Sequence, residues 1–349
     1  TVHFKRRRGD TTITGPYLSK TQVNSELEKK RKKRPWMLTA IVSVFLLAII
    51  SLSQTWKFGK STEETAAVTN SSTEIPTESL TNNALSTEIV QSPLATATAS
   101  KPAEMEDVYK GMVLIPDGLF IMGENNFEFS AYDEGPAHEV FISPFYIDKY
   151  EVTNTQYLEC VDAGHCQEPD PLNKLYPDPL YSSHPVTFVS WDMAVAYCSW
   201  KESRLPTEAE WEKAARGPFS YNFPWGDSFD GNVLNFCAKE CGREWAYQDY
   251  FDKYPLTAPV GSFPAGQSYY GVFDMAGNVS EWVSDWYDDE YYTSSVLENP
   301  LGPELGYYRV LRGGAWYHPV EKLYSFKRDY LNPNTMVNYL GFRCAKGVP

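Results

Sequence analysis

The sequence predicts a loop-rich α+β domain that follows a single membrane-spanning helix. An uncharged apolar run near the N-terminus indicates the spanning helix, because about 20 such residues cross the hydrocarbon of a bilayer. Beyond residue 107 the sequence has two helix-start signals and several short apolar runs separated by Gly and Pro, which favour helices and short strands joined by long loops. Six cysteines in the same part of the chain predict that disulfides help to hold these loops.

The first 34 residues form a basic segment. They carry a net charge of +8 and the remaining residues carry −22, which together give the formal charge of −14. Phosphate contacts need a basic face, so this split excludes nucleic-acid binding by the folded part of the chain. We therefore interpret residues 1–34 as a cytoplasmic tail that precedes a membrane segment.

Residues 35–56 are predicted to be a transmembrane helix. Trp36 and Trp56 lie at the two ends of the apolar run, where amphipathic rings favour the headgroup region. The basic residues just before the run place the N-terminus in the cytoplasm and the C-terminal domain outside it. A cleaved signal peptide is the alternative, but no small-residue cleavage site follows the run, so we expect a single-pass membrane protein.

Residues 57–106 are rich in Ser, Thr, Ala and Glu and almost lack aromatic residues. Such a composition cannot bury enough apolar surface to offset the entropy cost of ordering the chain. We interpret this segment as a flexible Ser/Thr-rich stalk. The predicted globular domain then spans residues 107–349.

The first predicted elements of the domain are short strands. The runs Met112–Pro116 and Leu119–Gly123 are predicted to form a hairpin, because the Asp-Gly pair between them is typical of a tight turn. Residues His138–Val152 alternate loosely between apolar and polar and predict a second strand pair.

Two helices are predicted in the middle of the domain. Ser190 is placed to cap a helix that runs from Trp191 to Lys201. Thr207 and Glu210 form a capping box before a second helix, which Gly217 ends. After Gly217 the sequence has no regular period and predicts mostly loop.

The stretch from Asp274 to Trp282 mixes Asp, Asn, Gly and Glu with large apolar residues, and we interpret it as too polar for a buried strand. Asp274 and Glu281 supply carboxylates, and Gly277 permits a sharp turn between them. Carboxylates and turn carbonyls are the ligands that Ca²⁺ prefers, so a calcium site is one interpretation of the stretch. Composition alone favours the other interpretation, a solvated acidic loop anchored by Trp282 and Trp286, since the spacing is not that of an EF-hand.

The six cysteines predict three disulfides formed in an oxidising compartment. Two pairs are close enough in sequence to close small loops, and the two remaining cysteines would close a long loop, for which the entropy model gives the larger stabilisation. A zinc site is the alternative, but the spacings match none of the usual zinc patterns. The predicted pairs are Cys160–Cys166, Cys237–Cys241 and Cys198–Cys344.

Seven short motifs follow one another along the chain: Gly111–Val113, Phe145–Asn154, Arg204–Glu212, Pro224–Gly226, Gly277–Trp282, Arg312–Trp316 and Gly341–Cys344. In this order they resemble the sulfatase-modifying factor family, whose founding member is the formylglycine-generating enzyme. The resemblance runs from residue 111 to residue 346 and does not cover the tail, the transmembrane helix or the stalk. It implies a compact, loop-rich fold related to C-type lectins, and it also implies the Cys198–Cys344 disulfide.

The resemblance implies two structural Ca²⁺ ions, and this sequence has plausible oxygen ligands for both. The ligands expected at the first site are the side chains of Asn235 and Asp252 and the carbonyls of Phe236 and Tyr254. The ligands expected at the second site are the side chains of Asp274 and Glu281 and the carbonyls of Gly277 and Val279. The family often has Asn where Asp274 stands, and either residue provides an oxygen donor.

The positions that carry the chemistry of the resembled enzyme depart from its pattern. That enzyme oxidises a substrate cysteine with O₂ and with copper held by two thiolates, which are soft ligands suited to Cu(I). Here His318 stands at the first cysteine position, Leu323 stands at the second, and Ala315 replaces the usual Ser. Leu cannot ligate a metal, so we expect no catalytic residues at these positions, no copper, and loss of formylglycine generation by this mechanism.

Three functions remain open at this point. We predict a non-catalytic module that binds an exported protein, a peptide or a glycan in the former active-site cleft. The alternatives are an oxidoreductase acting on exported proteins with metal ligands elsewhere, and the sensor part of a longer signalling protein, for which a chain beginning with Thr1 leaves room. Aromatic side chains expected to line the cleft, unless they are simply core, are Trp316, Tyr317, His318, Tyr324 and Tyr330.

Overall fold

The computed structural model of the chain describes residues 109–126 and 132–349, which form a mixed α+β architecture. The predicted tail (1–34), transmembrane helix (35–56) and stalk (57–106) lie outside the described residues. Among the residues that are described, no helix combines the length and the apolar character needed to span a membrane.

The described residues contain three α-helices: α1 (Asn154–Asp162), α2 (Trp191–Trp200) and α3 (Glu208–Arg216). Helices α2 and α3 begin at the predicted caps. Helix α1 was missed, although Thr153 and Gln156 form a capping box of the same kind as the one before α3. The expectation of two helices was therefore wrong, because a Thr-x-x-Gln start signal in a short polar segment was overlooked.

Nine strands form three separate sheets within the described residues. The strands are β1 (Met112–Ile115), β2 (Gly118–Met122), β3 (His138–Ile142), β4 (Phe145–Asp148), β5 (Ser280–Trp286), β6 (Arg309–Arg312), β7 (Asp329–Leu331), β8 (Leu340–Phe342) and β9 (Ala345–Gly347). The sheet orders are β1-β4-β9, β2-β3 and β7-β6-β5-β8, and β5 and β8 are parallel whereas the other neighbours are antiparallel.

The predicted hairpin of β1 and β2 is not formed. Strand β1 pairs with β4, with Met112 opposite Asp148, and β2 pairs with β3, so the chain leaves one sheet at Asp117 and enters another. The buried ammonium of Lys213 holds this crossing, since its Nζ donates to the carbonyls of Pro116 (2.7 Å) and Gly118 (3.1 Å). For the same reason β3 and β4 belong to different sheets and do not pair with each other.

Strand β5 lies between the two larger parts of the core. Successive side chains of a strand point to opposite faces, so Val283 packs in the cluster that contains the β1–β4 strands and α3, and Trp282 packs in the cluster that contains α1 and α2. The indole Nε1 of Trp282 donates to the carbonyl of Val189 at 3.1 Å. A third, smaller cluster gathers loop residues around Phe223 and Phe236.

Helix α3 is buried along its whole length, including its charged residues. Glu212 pairs with Arg216 at 3.0 Å and with Arg312 of β6, and Glu208 pairs with Arg328 at 2.7 Å. Burial acts to raise the pKa of Glu212, but the charges of Arg312 and Arg216 lower it below its ordinary value. Removing one member of such a buried pair costs about 3–5 kcal/mol, because its partner is left charged and unpaired.

Three disulfides join Cys160 to Cys166, Cys198 to Cys344, and Cys237 to Cys241. The Cys198–Cys344 bond links α2 to the segment after β8 across 146 residues of sequence. It therefore ties the last strands of the chain to the middle of the domain.

The double substitution Cys198→Ala with Cys344→Ala should destabilise the domain more than Cys160→Ala with Cys166→Ala. In the chain-entropy model the long loop is worth about 5 kcal/mol and the short loop about 2 kcal/mol. Urea unfolding followed by tryptophan fluorescence measures both differences. Equal losses for the two double variants would contradict this view of the long cross-link.

The buried carboxyl of Asp285 should make stability depend on pH. Burial and then the charge of Glu208 raise its pKa from the ordinary 3.8 to about 7, although the backbone N–H of Glu208 donates to it at 2.8 Å. Because the folded pKa exceeds the unfolded one, this contribution is present below about pH 4 and is lost as the pH rises through about 7.

The substitution Asp285→Asn keeps the shape and an acceptor oxygen but cannot titrate. Relative to this variant, the wild type should lose free energy of unfolding between pH 4 and pH 7, by up to ~1.4 kcal/mol for each unit of pKa difference. Urea midpoints across this range test it, with Asp289→Asn on the surface as the matched control. A parallel pH profile for wild type and Asp285→Asn would refute the assignment.

Candidate functional site

The two positions predicted to replace catalytic cysteines, His318 and Leu323, lie in the loop between β6 and β7. The loop begins with Gly313 and Gly314, whose φ angles of 90° and 68° are in the left-handed region that glycine adopts without strain. A Cβ on Gly314 would come within 2.7 Å of the carbonyl oxygen of Lys322. The Gly-Gly turn is therefore packed directly against the end of the segment that carries both positions.

Leu323 is part of an apolar core. Its side chain is fully buried and belongs to the cluster formed by Phe223, Leu234, Phe236 and neighbouring residues. The second position thus contributes packing where the resembled enzyme has a metal ligand.

The imidazole of His318 is nearly buried, with 8% of the residue exposed. Burial lowers its pKa to about 4, while the charge of Asp329 acts to raise it and that of Lys322 to lower it. The ring is therefore neutral at pH 7. The Nδ1 atom of His318 has no hydrogen-bond partner. The residue borders a small cavity of about 10 Å³, which is close to the volume that one water needs.

Three of the five predicted cleft residues lie together. The ring of Tyr317 is 5.6 Å from that of Trp316, 4.3 Å from that of His318 and 4.5 Å from that of Tyr339. Half-exposed Trp245 joins them, because its Nε1 donates to the carbonyl of Tyr317 at 2.9 Å. We refer to Trp245, Trp316, Tyr317, His318 and Tyr339 as the His318 cluster.

The other two predicted cleft residues have different neighbours. Tyr324 stacks on Phe223 with ring centroids 4.7 Å apart, and Tyr330 stacks on Tyr287 at 3.9 Å. The idea that all five residues line one cleft stays a prediction. Trp245 and Tyr339 were missed, since nothing in their sequence neighbourhood indicates that they approach His318.

The residues predicted for the first calcium site are close in space. The carboxylate of Asp252 accepts hydrogen bonds from the backbone N–H groups of Phe236 and Tyr254, each at 3.0 Å. The amide nitrogen of Asn235 donates to the carbonyl of Leu256 at 3.0 Å, while its buried Oδ1 has no hydrogen-bond partner. Burial raises the pKa of Asp252 to about 6.

The second predicted site contains more charge than the sequence indicated. Glu281 is fully buried and accepts two hydrogen bonds from Arg343, at 2.6 and 2.7 Å, and one from the indole of Trp211 at 2.8 Å. Asp274 accepts from the backbone N–H of Gly261 at 2.7 Å, and burial raises its pKa to about 6. The stretch was expected to be too polar for a buried strand, but Ser280–Trp286 forms strand β5. The interpretation as a solvated acidic loop is also wrong, because Glu281 is fully buried. The hydrogen bonds from Arg343 and Trp211 offset the desolvation cost of burying the Glu281 carboxylate.

Glu151 is a third carboxylate at this site and was missed by the sequence reasoning. It is 1% exposed and accepts from the backbone N–H of Val279 at 3.2 Å. Burial raises its pKa well above the ordinary value, and the charges of Asp274 and Glu281 raise it further. The only signal was its position inside the Phe145–Asn154 motif.

Asn278 connects the two sites. Its side-chain oxygen accepts from Asn235 at 3.0 Å and from the backbone N–H of Ala258 at 2.8 Å, and its amide nitrogen donates to Glu151 at 2.6 Å. Its φ of 56° is a left-handed conformation that Asn tolerates better than most residues. One side chain thus links the amide of the first site to a carboxylate of the second.

These oxygen sets are suited to a hard cation. Among the described residues no three His, Cys, Asp or Glu side chains are grouped as a metal site by themselves. The candidate sites differ from such groups because amide and carbonyl oxygens supply part of the ligand set. Mixed oxygen donors of this type favour Ca²⁺ over softer metals.

Comparison with known proteins identifies the domain. Residues 96–348 match the Sulfatase-modifying factor enzyme 1-like domain. The formylglycine-generating enzyme of Thermomonospora curvata is 32% identical over 289 residues, which cover 69% of this chain and 94% of that enzyme. The structure of PvdO from Pseudomonas aeruginosa is 28% identical with a TM-score of 0.55, covering 68% of this chain and 94% of PvdO.

A longer relative is the serine/threonine-protein kinase pkn1 of Chlamydia caviae. It is 36% identical over 288 residues, which cover 76% of this chain but only 43% of the kinase. The chain therefore spans less than half the length of this relative. The chain described here has an α+β fold, matches the family model over residues 96–348 and is 32% identical to an enzyme that it covers almost completely. We conclude that the chain belongs to the sulfatase-modifying factor family.

Proposed function

We propose that the chain is a membrane-anchored, extracytoplasmic binding module of this family that recognises an exported protein, a peptide or a glycan without oxidising it. The observation that carries the proposal is the burial of Leu323 in an apolar cluster at the second thiol position. A fully buried leucine gives the site packing energy and no electron pair for a metal.

The state of the cysteines supports the same proposal. The sequence has six cysteines, and all six are joined in disulfides. Copper-dependent oxidation of the family type needs two thiolates at one point. His318 offers a single imidazole there, and burial lowers the pKa of its ring to about 4, so the ring is neutral at pH 7.

The His318 cluster is the surface proposed for recognition. Trp245 is 50% exposed, and Tyr317 and Tyr339 are partly exposed beside it. Large aromatic side chains with a polar tip bind both peptide and sugar surfaces, because they combine apolar area with a hydrogen-bonding group. The neutral His318 adds an unpaired nitrogen at the base of this surface.

Structural Ca²⁺ and a relation to C-type lectins are further parts of the proposal. At the first site, the unpaired Oδ1 of Asn235 and the carboxylate of Asp252 fit a hard cation. At the second site, burial raises the pKa of Glu151 and Asp274, and Arg343 pairs only with Glu281. Bound Ca²⁺ would favour the ionised forms of these carboxyl groups and hold the loops in place.

The second candidate function is a sensor domain of a longer signalling protein. The specific observation that favours it is the similarity to chlamydial proteins named as serine/threonine kinases, whose length exceeds the matched region. The binding surface would be the same in both cases, and only the attached cytoplasmic part would differ.

Metal analysis with an oxygen-uptake assay tests the loss of oxidase chemistry. The purified domain should contain calcium and no stoichiometric copper, and it should not consume O₂ with a cysteine-containing sulfatase peptide. The formylglycine-generating enzyme of Thermomonospora curvata serves as the positive control. Peptide oxidation with copper bound at His318 would overturn the proposal.

Chelation should lower the melting temperature of the domain. Ligand at 100 times its dissociation constant stabilises a fold by about 2.7 kcal/mol, and chelator removes that term. Scanning calorimetry with EDTA and after Ca²⁺ addition measures the shift. Asp274→Gly removes the side-chain oxygens and tolerates the left-handed φ of 57° at this position, so it should reduce the shift. The exposed control Asp289→Gly should leave the shift unchanged. An unchanged melting temperature in EDTA would rule out structural calcium.

A further inference from the structure

Glu240 lies inside the short loop that the Cys237–Cys241 disulfide closes. It is the middle residue of a single 3₁₀ turn, Lys239–Cys241. Neither the candidate calcium ligands nor the recognition surface includes it. The residue is partly exposed, but its Oε2 is buried without a hydrogen-bond partner.

Backbone hydrogen bonds place this loop against the segment that carries Asp252. The N–H of Tyr247 donates to the carbonyl of Cys237 at 2.8 Å, and the N–H of Lys239 donates to the carbonyl of Tyr250 at 3.3 Å. At the start of the loop, the N–H of Phe236 donates to the Asp252 carboxylate at 3.0 Å. Glu240 therefore follows Lys239, whose backbone is hydrogen-bonded to Tyr250, two residues before Asp252.

The electrostatics agree with this placement. Burial raises the pKa of Asp252, and the charge of Glu240 raises it further, which agrees with the backbone hydrogen bonds between the two segments. Two carboxylates held together away from water repel each other unless a proton or a cation lies between them.

Two buried oxygens at this place lack a hydrogen-bond donor. One is Oε2 of Glu240, and the other is Oδ1 of Asn235, a residue that is 1% exposed. The Asn235 amide is fixed in this orientation, because its nitrogen donates to both Leu256 and Asn278 at 3.0 Å. Buried acceptors are rarely left unpaired, and a cation satisfies several of them at once.

We infer that Glu240 is an additional ligand of the ion at the Asn235–Asp252 site, so that the disulfide-closed loop Cys237–Cys241 forms one wall of that site. The inference rests on the calcium part of the proposed function. The donor set becomes two carboxylates, one amide oxygen and the two backbone carbonyls of Phe236 and Tyr254. These five oxygens, with a net charge of −2, match the hard ligands and charge that Ca²⁺ selects.

The disulfide has a defined part in this arrangement. Because it closes a loop of only a few residues around Glu240, it restricts the positions open to that carboxylate before the ion binds. Ion affinity at this site should therefore depend on the Cys237–Cys241 bond, whereas affinity at the Asp274–Glu281 site should not.

The test compares Glu240→Gln with Glu244→Gln in an Asp274→Gly background, in which the second site lacks the side-chain oxygens of Asp274 and the left-handed φ of 57° is tolerated. Glu244 is exposed in the same region and is the matched control for loss of one negative charge. Binding is followed by calorimetric titration with Ca²⁺ and by Tb³⁺ luminescence excited through nearby tyrosines. Glu240→Gln should weaken binding by on the order of 10- to 100-fold, as expected for loss of a supporting ligand, and Glu244→Gln should change it less than threefold.

A melting experiment in chelator separates ligation from a purely structural role. Without an ion, Glu240→Gln removes repulsion toward Asp252 and should leave the melting temperature equal to or above that of the parent. With Ca²⁺ present, the same variant should melt below the parent. A structural role alone would shift both melting temperatures in the same direction, and that result would overturn the inference.

The remaining outcomes distinguish the two levels of the proposal. If Glu240→Gln and Glu244→Gln bind Ca²⁺ equally well, Glu240 is not a ligand, and the Asn235–Asp252 site stands without it. If the wild-type domain binds neither Ca²⁺ nor Tb³⁺, the calcium proposal and this inference are both wrong. If replacing Cys237 and Cys241 by Ala leaves the affinity unchanged, the role of the disulfide is refuted.

Discussion

The buried ion pair between Glu281 and Arg343 is the interaction on which the rest of the domain depends. Both side chains are fully buried, and two hydrogen bonds of 2.6 and 2.7 Å join them. Arg343 also donates to the carbonyls of Asp148 and Phe273, while Trp211 donates to Glu281. The pair therefore connects β4, β5, α3 and the segment between β8 and β9, in addition to the strand pairing of β4 with β9 and of β5 with β8. A buried charge without its partner is strongly destabilising, so neither residue can change alone.

Three carboxyl groups are crowded together by this arrangement. Arg343 pairs with Glu281, and burial raises the pKa of Glu151 and Asp274, so their charged forms are disfavoured in the absence of a cation. Asn278 then joins this group to Asn235 through hydrogen bonds of 2.6 and 3.0 Å. The two proposed ion sites are therefore joined through a single polar side chain. Hydrogen bonds of this kind hold loops that lie outside the apolar clusters of the core.

The region around His318 illustrates how individual side chains set the groups that a shared fold presents. The Gly313–Gly314 turn and the hydrogen bond from the N–H of Trp316 to the carbonyl of Asn278 (2.9 Å) tie this loop to the candidate ion sites. Leu323 fills its position with apolar contacts, and His318 remains neutral because burial disfavours the imidazolium. Family membership fixes the architecture here, and the two exchanged side chains decide what the site can do.

The sequence by itself determined the features that depend on neighbours along the chain. Helices α2 and α3 begin at caps that are visible as Ser190 and as the Thr207–Glu210 box, and the ordered motifs identified the family, because both kinds of signal are local. Helix α1 begins at a capping box of Thr153 and Gln156, so the sequence was sufficient to predict it as well. Sequence also located His318 and Leu323 relative to the Gly-Gly turn.

Only the tertiary structure decided which strands pair and which polar groups are buried. Short strands with little alternation do not specify their partners, so β1 and β2 looked like a hairpin although they belong to different sheets. The burial of Glu281 could not be foreseen, because its cost is offset by Arg343, 62 residues away. The same reason applies to Glu151, Trp245 and Glu240. The residues near them in space are distant in sequence or lie in irregular loops, and a single sequence does not show which of these residues come together.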